Sequence, residues 1–482
     1  GILVDPPVDT SAWLREHDIP PRSVDSVLLT HVHGDHDGGT LQKALFADRI
    51  RIYSTPTIYN SFLRKASAIT GLKIERFHRI IEFVPVPIRT PFRIHGGRFV
   101  FDYTLHSIPT IRFAVETGGR SLVYSADTLN EPEAIKKLRD EGILSAERAA
   151  DLLDFPWHHD LVIHEAGVPP IHTPVSALAK LPDEVKARLM VVHTTASALP
   201  VDSGLRLAPP GLEGTVRLSA TPTIHHEAIR WLRALQTVEH FRSLPLSKAI
   251  DLLQNGELQR YKAGERVIRR GDAGTHFFVI LSGRCAVLHG EVDRKEFGLY
   301  ETFGESSLLL DQPRTADVFA ASDIELLALD KEAFLQFLAG TGVERRMVRL
   351  FESRRSGTWE LLDSHPVFAR MNAAQRSLLQ SLLMPRVYSA GDVLATAGDP
   401  AAVALMISEG ELIERAADGS EFRHGADQMV AALEAVAEGR PQPTTIEAAT
   451  RVTGFEIELV GLRSFLQRYP GVYLQLLELL RR

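Results

Sequence analysis

Three glycines recur at a fixed offset in the second half of the chain. Gly264, Gly271 and Gly283 return as Gly391, Gly398 and Gly410, and the differences 391-264, 398-271 and 410-283 are all 127. Such a repeat requires one module to fold twice in succession, before any secondary structure is assigned. Each copy opens on apolar residues in a helical arrangement: Phe241, Leu244, Ile250 and Leu253, then Phe368, Leu378, Leu379 and Leu382. Short strands separated by glycine turns follow, which predicts a small β-barrel or β-roll. Closing helices are predicted over 331–338 and 462–479. No helix-turn-helix comes after them, so no DNA-reading output is expected.

With 482 residues the chain exceeds what a single hydrophobic core supports. Its first segment alternates short apolar runs (26–29, 98–101, 121–124 and 161–163) with loops and helical stretches, the texture of an α/β layered domain. A helical stretch, 227–238, separates it from the repeats. The expected domains are therefore 1–225, 226–362 and 363–482. A formal net charge of -7 disfavours a protein built to grip nucleic acid. No apolar run approaches the roughly 20 residues that span a bilayer, so no membrane partner is expected. The single cysteine, Cys285, excludes an intrachain disulfide framework and a cysteine-rich zinc site. A cytoplasmic location fits that usage, and any metal must be held by nitrogen and oxygen. The sequence opens on Gly1 without a methionine, and its first strands are expected to be missing.

The chemistry is concentrated where the apolar run 26–29 enters Thr30-His31-Val32-His33-Gly34-Asp35-His36-Asp37-Gly38-Gly39. Histidines two apart at a strand end can point to one side and share an ion. Asp35 and His36, displaced by the glycine turn, can reach a second. A lone histidine pair would be read as loop polarity; four ligand-type side chains in one strand-end loop read as a two-metal site.

This segment resembles the metallo-β-lactamase superfamily, whose H-x-H-x-D-H motif it matches in full. The resemblance implies an αββα sandwich, so the fold class expected is a multidomain chain: that α/β hydrolase fold, then two β-rolls with flanking helices. It also implies later ligands at the ends of successive strands, for which His106, Asp127 and His193 occur in order. On that basis His31, His33, His106 and Asp127 hold one ion, and Asp35, His36, Asp127 and His193 the other. Zinc suits imidazole and carboxylate donors, with manganese or iron as alternatives. His164-Glu165-Ala166 and His172-Thr173-Pro174 are similar to two loop motifs of the RNase Z-type phosphodiesterase branch. Carried over, Glu165 orients His172 as general acid and Asp35 helps activate the attacking hydroxide. Two cations about 3.5 to 4 Å apart can stabilise both attacking and departing oxygens. His158, His159, His225 and His226 have no motif support and are read as surface or structural. The stretch between His36 and His106 is short, without the long Gly- and Pro-rich arm that grips transfer RNA, which demotes RNA maturation.

In the first repeat, Phe303-Gly304-Glu305-Ser306-Ser307-Leu308 and Pro313-Arg314-Thr315-Ala316 resemble the phosphate-binding cassette of cyclic-nucleotide-binding domains. Gly304 and Ser306 would offer backbone amides to the cyclic phosphate, Arg314 a charge-assisted fork, and Glu305 an acceptor for the ribose hydroxyl. Thr315 could bond a guanine amino group, leaving cyclic AMP and cyclic GMP both open. At the offset of 127, Gly304, Glu305 and Arg314 fall on Ala431, Ala432 and Pro441, so the second copy is expected to be degenerate, a structural or dimerising module.

The expected function is a cyclic-nucleotide-regulated dinuclear metallohydrolase, a phosphodiesterase acting as a homodimer on a cyclic nucleotide or other small phosphodiester. Alternatives are an RNase-type nuclease, or a second-messenger receptor whose hydrolase is silent or cleaves a thioester or lactone.

Overall fold

The computed structural model describes residues 1–482 except 18, 20, 47–49, 219–225, 239–240, 242–247, 249, 251–253, 290–292, 340, 342, 344–346, 349–357, 372, 402 and 481–482. Two compact units are resolved: residues 1–17, 24–44 and 49–224, and residues 225–482 with the short segments 18–23 and 45–48.

The first unit contains two sheets. Strands β1 (Ile2–Val4), β2 (Ser26–Leu28), β3 (Ile50–Ser54) and β4 (Ile81–Pro85) pair in parallel in that order. Parallel neighbours need crossovers, here the helices Thr10–Glu16, Gly34–Phe46 and Pro56–Thr70. Cover on both faces explains why β2 is buried at every residue and reads as a continuous apolar run. Helix Pro56–Thr70 starts on Thr55, whose hydroxyl accepts from Ile58 N at 3.4 Å, and ends on Gly71 in the left-handed region. It buries Ile58, Tyr59, Phe62, Leu63 and Ala66, and full burial of an aliphatic or Phe side chain contributes about 1.5 to 3 kcal/mol.

The second sheet comprises β5 (Phe92–Ile94), β6 (Gly97–Tyr103), β7 (Ile111–Thr117), β8 (Arg120–Tyr124), β9 (Leu161–Glu165) and β10 (Leu189–Val192). It runs β10-β9-β8-β7-β6-β5, antiparallel from β5 to β8 and parallel from β8 to β10. Strands β6 and β7 alternate buried and accessible residues, the period of a sheet packed on one face. Hydrogen bonds fasten the two sheets at one edge: Ile111 N donates to Thr30 O at 3.1 Å, and the Tyr124 hydroxyl to Asp5 Oδ2 at 3.3 Å.

The second unit holds two β-rolls of like topology. In the first, one sheet orders Glu257–Tyr261, Ile324–Asp330, His276–Ser282 and Thr302–Phe303, and the other Arg266–Ile268, Asp317–Ala320, Cys285–His289 and Asp293–Phe297. In the second, the orders are Leu383–Tyr388, Val452–Ile457, Ala404–Glu409, Met429–Ala431 and Val393–Ala395, Thr444–Ala448, Leu412–Ala416, Glu421–His424. The repeated glycines are turn devices. Gly283 and Gly410 adopt φ of 77° and 94°, and a Cβ on either would lie 2.3 Å from a backbone oxygen, of Asp323 or Arg451.

Those two contacts also correct the alignment of the repeats. Gly283 and Gly410 are 127 apart, but Asp323 and Arg451 are 128 apart. The same step separates Arg314 from Gln442: Gly271 N donates to Arg314 O and Gly398 N to Gln442 O, both at 2.9 Å. One residue is inserted between Val430 and Gln442, so the counterpart of Arg314 is Gln442 and not Pro441. By helix start, Gly304 and Glu305 correspond to Ala432 and Leu433. Further differences are local. The stretch 462–479 is two helices, Leu459–Arg468 and Pro470–Leu480, because Pro470 lacks the amide that would continue the first and suits the first turn of the next. The separating helix is His226–Thr237. Of the first lead-in, Leu244 and Leu253 lie outside the described residues, as does His225.

Candidate functional site

All the donors named from the motif converge at the carboxyl ends of strands. His31 and His33 follow β2, His106 follows β6, Asp127 follows β8 and His193 follows β10. Asp35 and His36 differ from the sequence expectation: helix Gly34–Phe46 begins before them, so they occupy its first turn rather than a strand-end loop. The His33 carbonyl accepts from both His36 N and Asp37 N at 3.1 Å, which turns the chain into that helix.

Four overlapping donor groups result among the described residues, two of them, Asp5 with His31 and His36 and Asp127 with His172 and His193, drawing in side chains outside the ligand set named from the motif. Of the other two, His31, His33, His106 and Asp127 form one, with Asp35, His36 and His193 as the second. Asp127 Oδ2 faces both: it lies 3.5 Å from His31 Nε2, 3.5 Å from His36 Nε2, 3.8 Å from His106 Nε2 and 3.9 Å from His193 Nε2. Asp35 Oδ2 is 3.5 Å from His36 Nε2 and 3.4 Å from His193 Nε2, while His33 Nδ1 and His106 Nε2 are 3.2 Å apart.

These separations fit divalent cations better than direct hydrogen bonds. Nitrogen-to-oxygen hydrogen bonds cluster near 2.9 Å, whereas donors about 2.0 to 2.1 Å from a tetrahedral zinc sit about 3.3 Å from one another. His31 Nε2 and both ring nitrogens of His36 are buried with no hydrogen-bond partner, an arrangement that buried polar atoms rarely tolerate without a ligand. Tautomers agree. The Thr30 hydroxyl donates to Asp5 Oδ2 at 2.6 Å and therefore accepts from His31 Nδ1 at 3.0 Å, leaving Nε2 as the lone-pair end. His106 Nδ1 lies 2.9 Å from the Ile171 carbonyl, which likewise turns Nε2 inward.

Electrostatics add a second line. Burial and the neighbouring His36 lower His31 to about 3, so its ring is neutral. Burial also opposes charge on His36, but Asp127 and Asp5 outweigh it and raise that ring to about 10. Clustered carboxylates thus hold a proton on His36 where a cation would supply the positive charge. Without metal, that proton stabilises the fold fully below pH 6.5, its ordinary pKa, and the contribution is lost as pH rises through about 10. Metal must displace it. Loading with Zn(II) at pH 8 is expected to release about one proton per chain from this ring, and affinity to rise with pH across that window. Calorimetry in two buffers of different ionisation heat checks this; equal heats in both would contradict it.

Of the nine non-glycine residues with positive φ among the described residues, three lie at this site. Asp5, Ala126 and His193 have φ of 45°, 51° and 60°, a region that costs a non-glycine residue of order 1 to 3 kcal/mol and clusters at functional sites. Asp5 is a residue that motif reading missed. Its carboxylate accepts from Thr30 N at 2.8 Å and lies 3.4 Å from His36 Nδ1, so it orients ligands on both sides. Gly38 and Gly39 hold it there: a Cβ on Gly39 would lie 2.2 Å from Pro7 O, and Gly39 N donates to Pro6 O at 2.9 Å. The available signal was a short apolar strand ending in aspartate.

Glu165 ends β9. Its Oε1 accepts from Thr173 N at 2.8 Å and Thr128 N at 3.2 Å, and its Oε2 lies 3.3 Å from His172 Nδ1. Burial pushes this carboxyl up to about 8 and lowers His172. His172 Nδ1 also lies 3.9 Å from Asp127 Oδ2, so it faces the donor cluster as well as the glutamate. His164 points elsewhere, bonded to Asn130 Nδ2 and the Glu165 carbonyl and stacked on Trp157, a buried structural histidine.

In the first roll, Gly304, Glu305, Ser306, Arg314 and Thr315 line one cavity of about 390 Å³ with an apolar floor that includes Val287 and Phe297. Arg314 is buried, with Nη1 donating to Gly304 O at 2.7 Å and Ser307 Oγ at 2.8 Å and Nη2 to His276 O at 2.7 Å. Gly304 has φ of 90°, and a Cβ there would lie 2.8 Å from Arg314 Nη1. The second roll puts other chemistry at the matching points. Gln442 replaces the arginine, Ala432 has φ of -75°, and Glu414 accepts from Thr444 Oγ1 at 2.6 Å and lies 2.8 Å from His424 Nε2.

Two family models match the chain. Residues 1–204 match the family described as Anti-Pycsar protein Apyc1, and residues 258–341 match the cyclic nucleotide-binding domain. The chain is thus multidomain, with a β-roll of the cyclic-nucleotide-binding type. Among individual proteins, it is 37% identical over 482 residues to a cGMP-dependent 3',5'-cGMP phosphodiesterase A of Dictyostelium discoideum, covering 99% of this chain and 55% of that one. It is 35% identical over 297 residues to a cAMP/cGMP-dependent 3',5'-cAMP/cGMP phosphodiesterase B of the same organism, covering 61% of this chain and 27% of that one. The chain therefore spans about half, or less, of the length of these relatives. A cAMP-bound regulatory domain of Toxoplasma gondii PKA aligns with 53% of this chain and 97% of its own at 20% identity and a TM-score of 0.27.

Proposed function

We propose that this chain is a cyclic-nucleotide-regulated phosphodiesterase, with a two-cation hydrolase site of the metallo-β-lactamase type in residues 1–225. One nucleotide sensor follows in 226–362, and a degenerate module in 363–482. The observation that carries the reading is the pair of donor groups meeting at Asp127 Oδ2. The printed activities of the two Dictyostelium relatives favour a cyclic nucleotide as substrate. Zinc is the metal we expect, since every donor is nitrogen or oxygen, with manganese or iron as alternatives. Bound cations would supply Lewis acidity and hydroxide near neutral pH. The chain's own groups do the rest: His31, His33, Asp35, His36, His106, Asp127 and His193 hold the charge, Asp5 and Thr30 fix ring orientation, and Glu165 and His172 handle the leaving-group proton. Gly304, Glu305, Ser306, Arg314 and Thr315 receive cyclic AMP or cyclic GMP as effector. Among the described residues no helix is long and apolar enough to cross a membrane. A cytoplasmic homodimer is the setting we propose.

The test is turnover of cyclic AMP, cyclic GMP, a linear phosphodiester and a thioester by purified protein, with and without each nucleotide. Hydrolysis confined to the thioester would sink the phosphodiesterase assignment. Coupling between two sites typically amounts to about 1 to 3 kcal/mol, or roughly 5- to 150-fold in affinity, and a rate effect of that order is expected. Arg314→Ala separates effector from substrate. It removes a charge-assisted bond of about 1.5 to 3 kcal/mol, so binding to the roll should weaken about tenfold or more. Metal content should stay unchanged and the rate should no longer respond to the effector. A variant that is still regulated at wild-type concentrations would move the regulatory site elsewhere.

A further inference from the structure

The loop and helix start that carry His31, His33, Asp35 and His36 must be held within a few tenths of an ångström for those donors to share ions. Backbone hydrogen bonds close the first helical turn on the His33 carbonyl and cap the Asp37 carboxylate with its own amide, but among the described residues they do not anchor the Val32 carbonyl between the two histidines. Both that carbonyl and that carboxylate are reached by one side chain from another helix. Lys65 Nζ donates to Val32 O at 2.9 Å, to Asp37 Oδ1 at 2.7 Å and to Asp37 Oδ2 at 2.9 Å. The three ammonium protons thus have three acceptors, all within the ligand-bearing segment.

We propose that Lys65 is a positioning residue for the metal centre, pinning the His31–His33 segment to the first turn of helix Gly34–Phe46 so that both donor groups keep one geometry. The inference rests on the two-cation reading. Its physical basis is a rigid platform and a buried acceptor. The apolar face of helix Pro56–Thr70 is sunk into the core through Ile58, Phe62, Leu63 and Ala66, and its ends are capped, so the lysine stem starts from a fixed point. The Asp37 side chain is only 4% exposed against 33% for Lys65, and of the groups acting on this carboxylate, its own backbone amide and His36 among them, Lys65 contributes most to holding it charged. A buried carboxylate without its cation would turn toward the imidazoles of the cluster or draw in water, and either displaces His36, its neighbour in the chain. Asp5 orients His31 and His36 from the opposite flank, through Thr30 and directly. Lys65 therefore supplies a constraint that the strand ends do not.

Substituting Lys65→Met keeps the stem and removes the donors. Outer-shell partners of ligands commonly contribute 10- to 100-fold to metal affinity. Zn(II) affinity, measured by competition with a chelator of known strength, is expected to fall by about that factor. The metal-free variant should keep its circular dichroism, and its rise in Tm on loading should be smaller than in the wild type. Lys65→Arg, which restores donors toward Val32 O and Asp37, should recover most of the affinity. Wild-type affinity in Lys65→Met overturns the inference. So does a Tm lowered equally with and without metal at unchanged affinity, which is the signature of a merely structural role. If Lys65→Met does not fold, Asp37→Asn leaves Lys65 on Val32 O and removes the carboxylate charge; a several-fold loss of affinity supports the clamp, and no loss overturns it. Failure of the underlying reading looks different, because the wild-type protein itself would then take up no metal.

Discussion

Replacing His33 by alanine is expected to cost one bound ion and replacing Asp127 both, with hydrolysis lost in either case. The two substitutions should differ in kind. His33 contributes Nδ1 to one donor group only, facing His106 Nε2 at 3.2 Å. Its loss leaves Asp35, His36, His193 and Asp127 intact, and elemental analysis should find one ion kept more firmly than the other. Asp127 faces both groups through one oxygen, with His31 and His36 at 3.5 Å and His106 and His193 at 3.8 and 3.9 Å. Its removal also takes away the main negative charge that these imidazoles share, so neither ion should remain at micromolar free metal. Activity should drop to the background rate in Asp127→Ala, and cyclic-nucleotide binding by the roll should persist. Full turnover in metal-stripped wild type, or in Asp127→Ala, would remove the two-cation reading altogether.

How far the sequence discloses this arrangement depends on how local the signal is. The cluster from His31 to His36 is contiguous, and its spacing alone brings it to the junction between β2 and the helix that follows. His106, Asp127 and His193 are legible through the resemblance, which implies further ligands at the ends of later strands, and β6, β8 and β10 all deliver their carboxyl ends to the same edge. Asp5 and Lys65 lie outside any spacing rule. Their roles arise from strand order and helix packing, which place Asp5 against Thr30 and His36, and Lys65 against Val32 and Asp37. In the rolls, the glycine repeat exposes the duplicated architecture, but counting residues misplaces the counterpart of Arg314 by one. The inserted residue is visible only in matched backbone bonds, Arg314 N to Asp272 O at 2.8 Å and Gln442 N to Asp399 O at 2.7 Å. The break at Pro470 was legible in principle, since proline opens helices readily and cannot continue them.

His172→Ala should divide substrates by leaving group. An alkoxide such as a ribose 3'-oxygen needs a proton as it departs, whereas a nitrophenolate does not, so general acid catalysis acts on the first and hardly on the second. The local geometry sets the two groups side by side, with Glu165 Oε2 and His172 Nδ1 each buried and, among the described residues, without a hydrogen-bond partner. Glu165 Oε1 is fastened by the Thr128 and Thr173 amides, which aims Oε2 at His172 Nδ1, 3.3 Å away. Gly167 lets the imidazole approach, for a Cβ there would lie 2.8 Å from His172 Cβ. Burial raises Glu165 to about 8 and lowers His172, so of the two the carboxyl is the better holder of a proton, which it would pass on through the ring. Turnover of a cyclic nucleotide should fall roughly 10²-fold or more in His172→Ala, and that of an activated nitrophenyl ester much less. Glu165→Gln should show the same split with a smaller amplitude, because the ring stays while its proton source is lost. A competing role follows from the same geometry: His172 Nδ1 is 3.9 Å from Asp127 Oδ2 and belongs to a donor group with Asp127 and His193. Metal content decides between them. A proton donor leaves both ions in place when it is removed, so a His172→Ala protein that retains one ion and slows both substrates equally would make His172 a ligand rather than an acid.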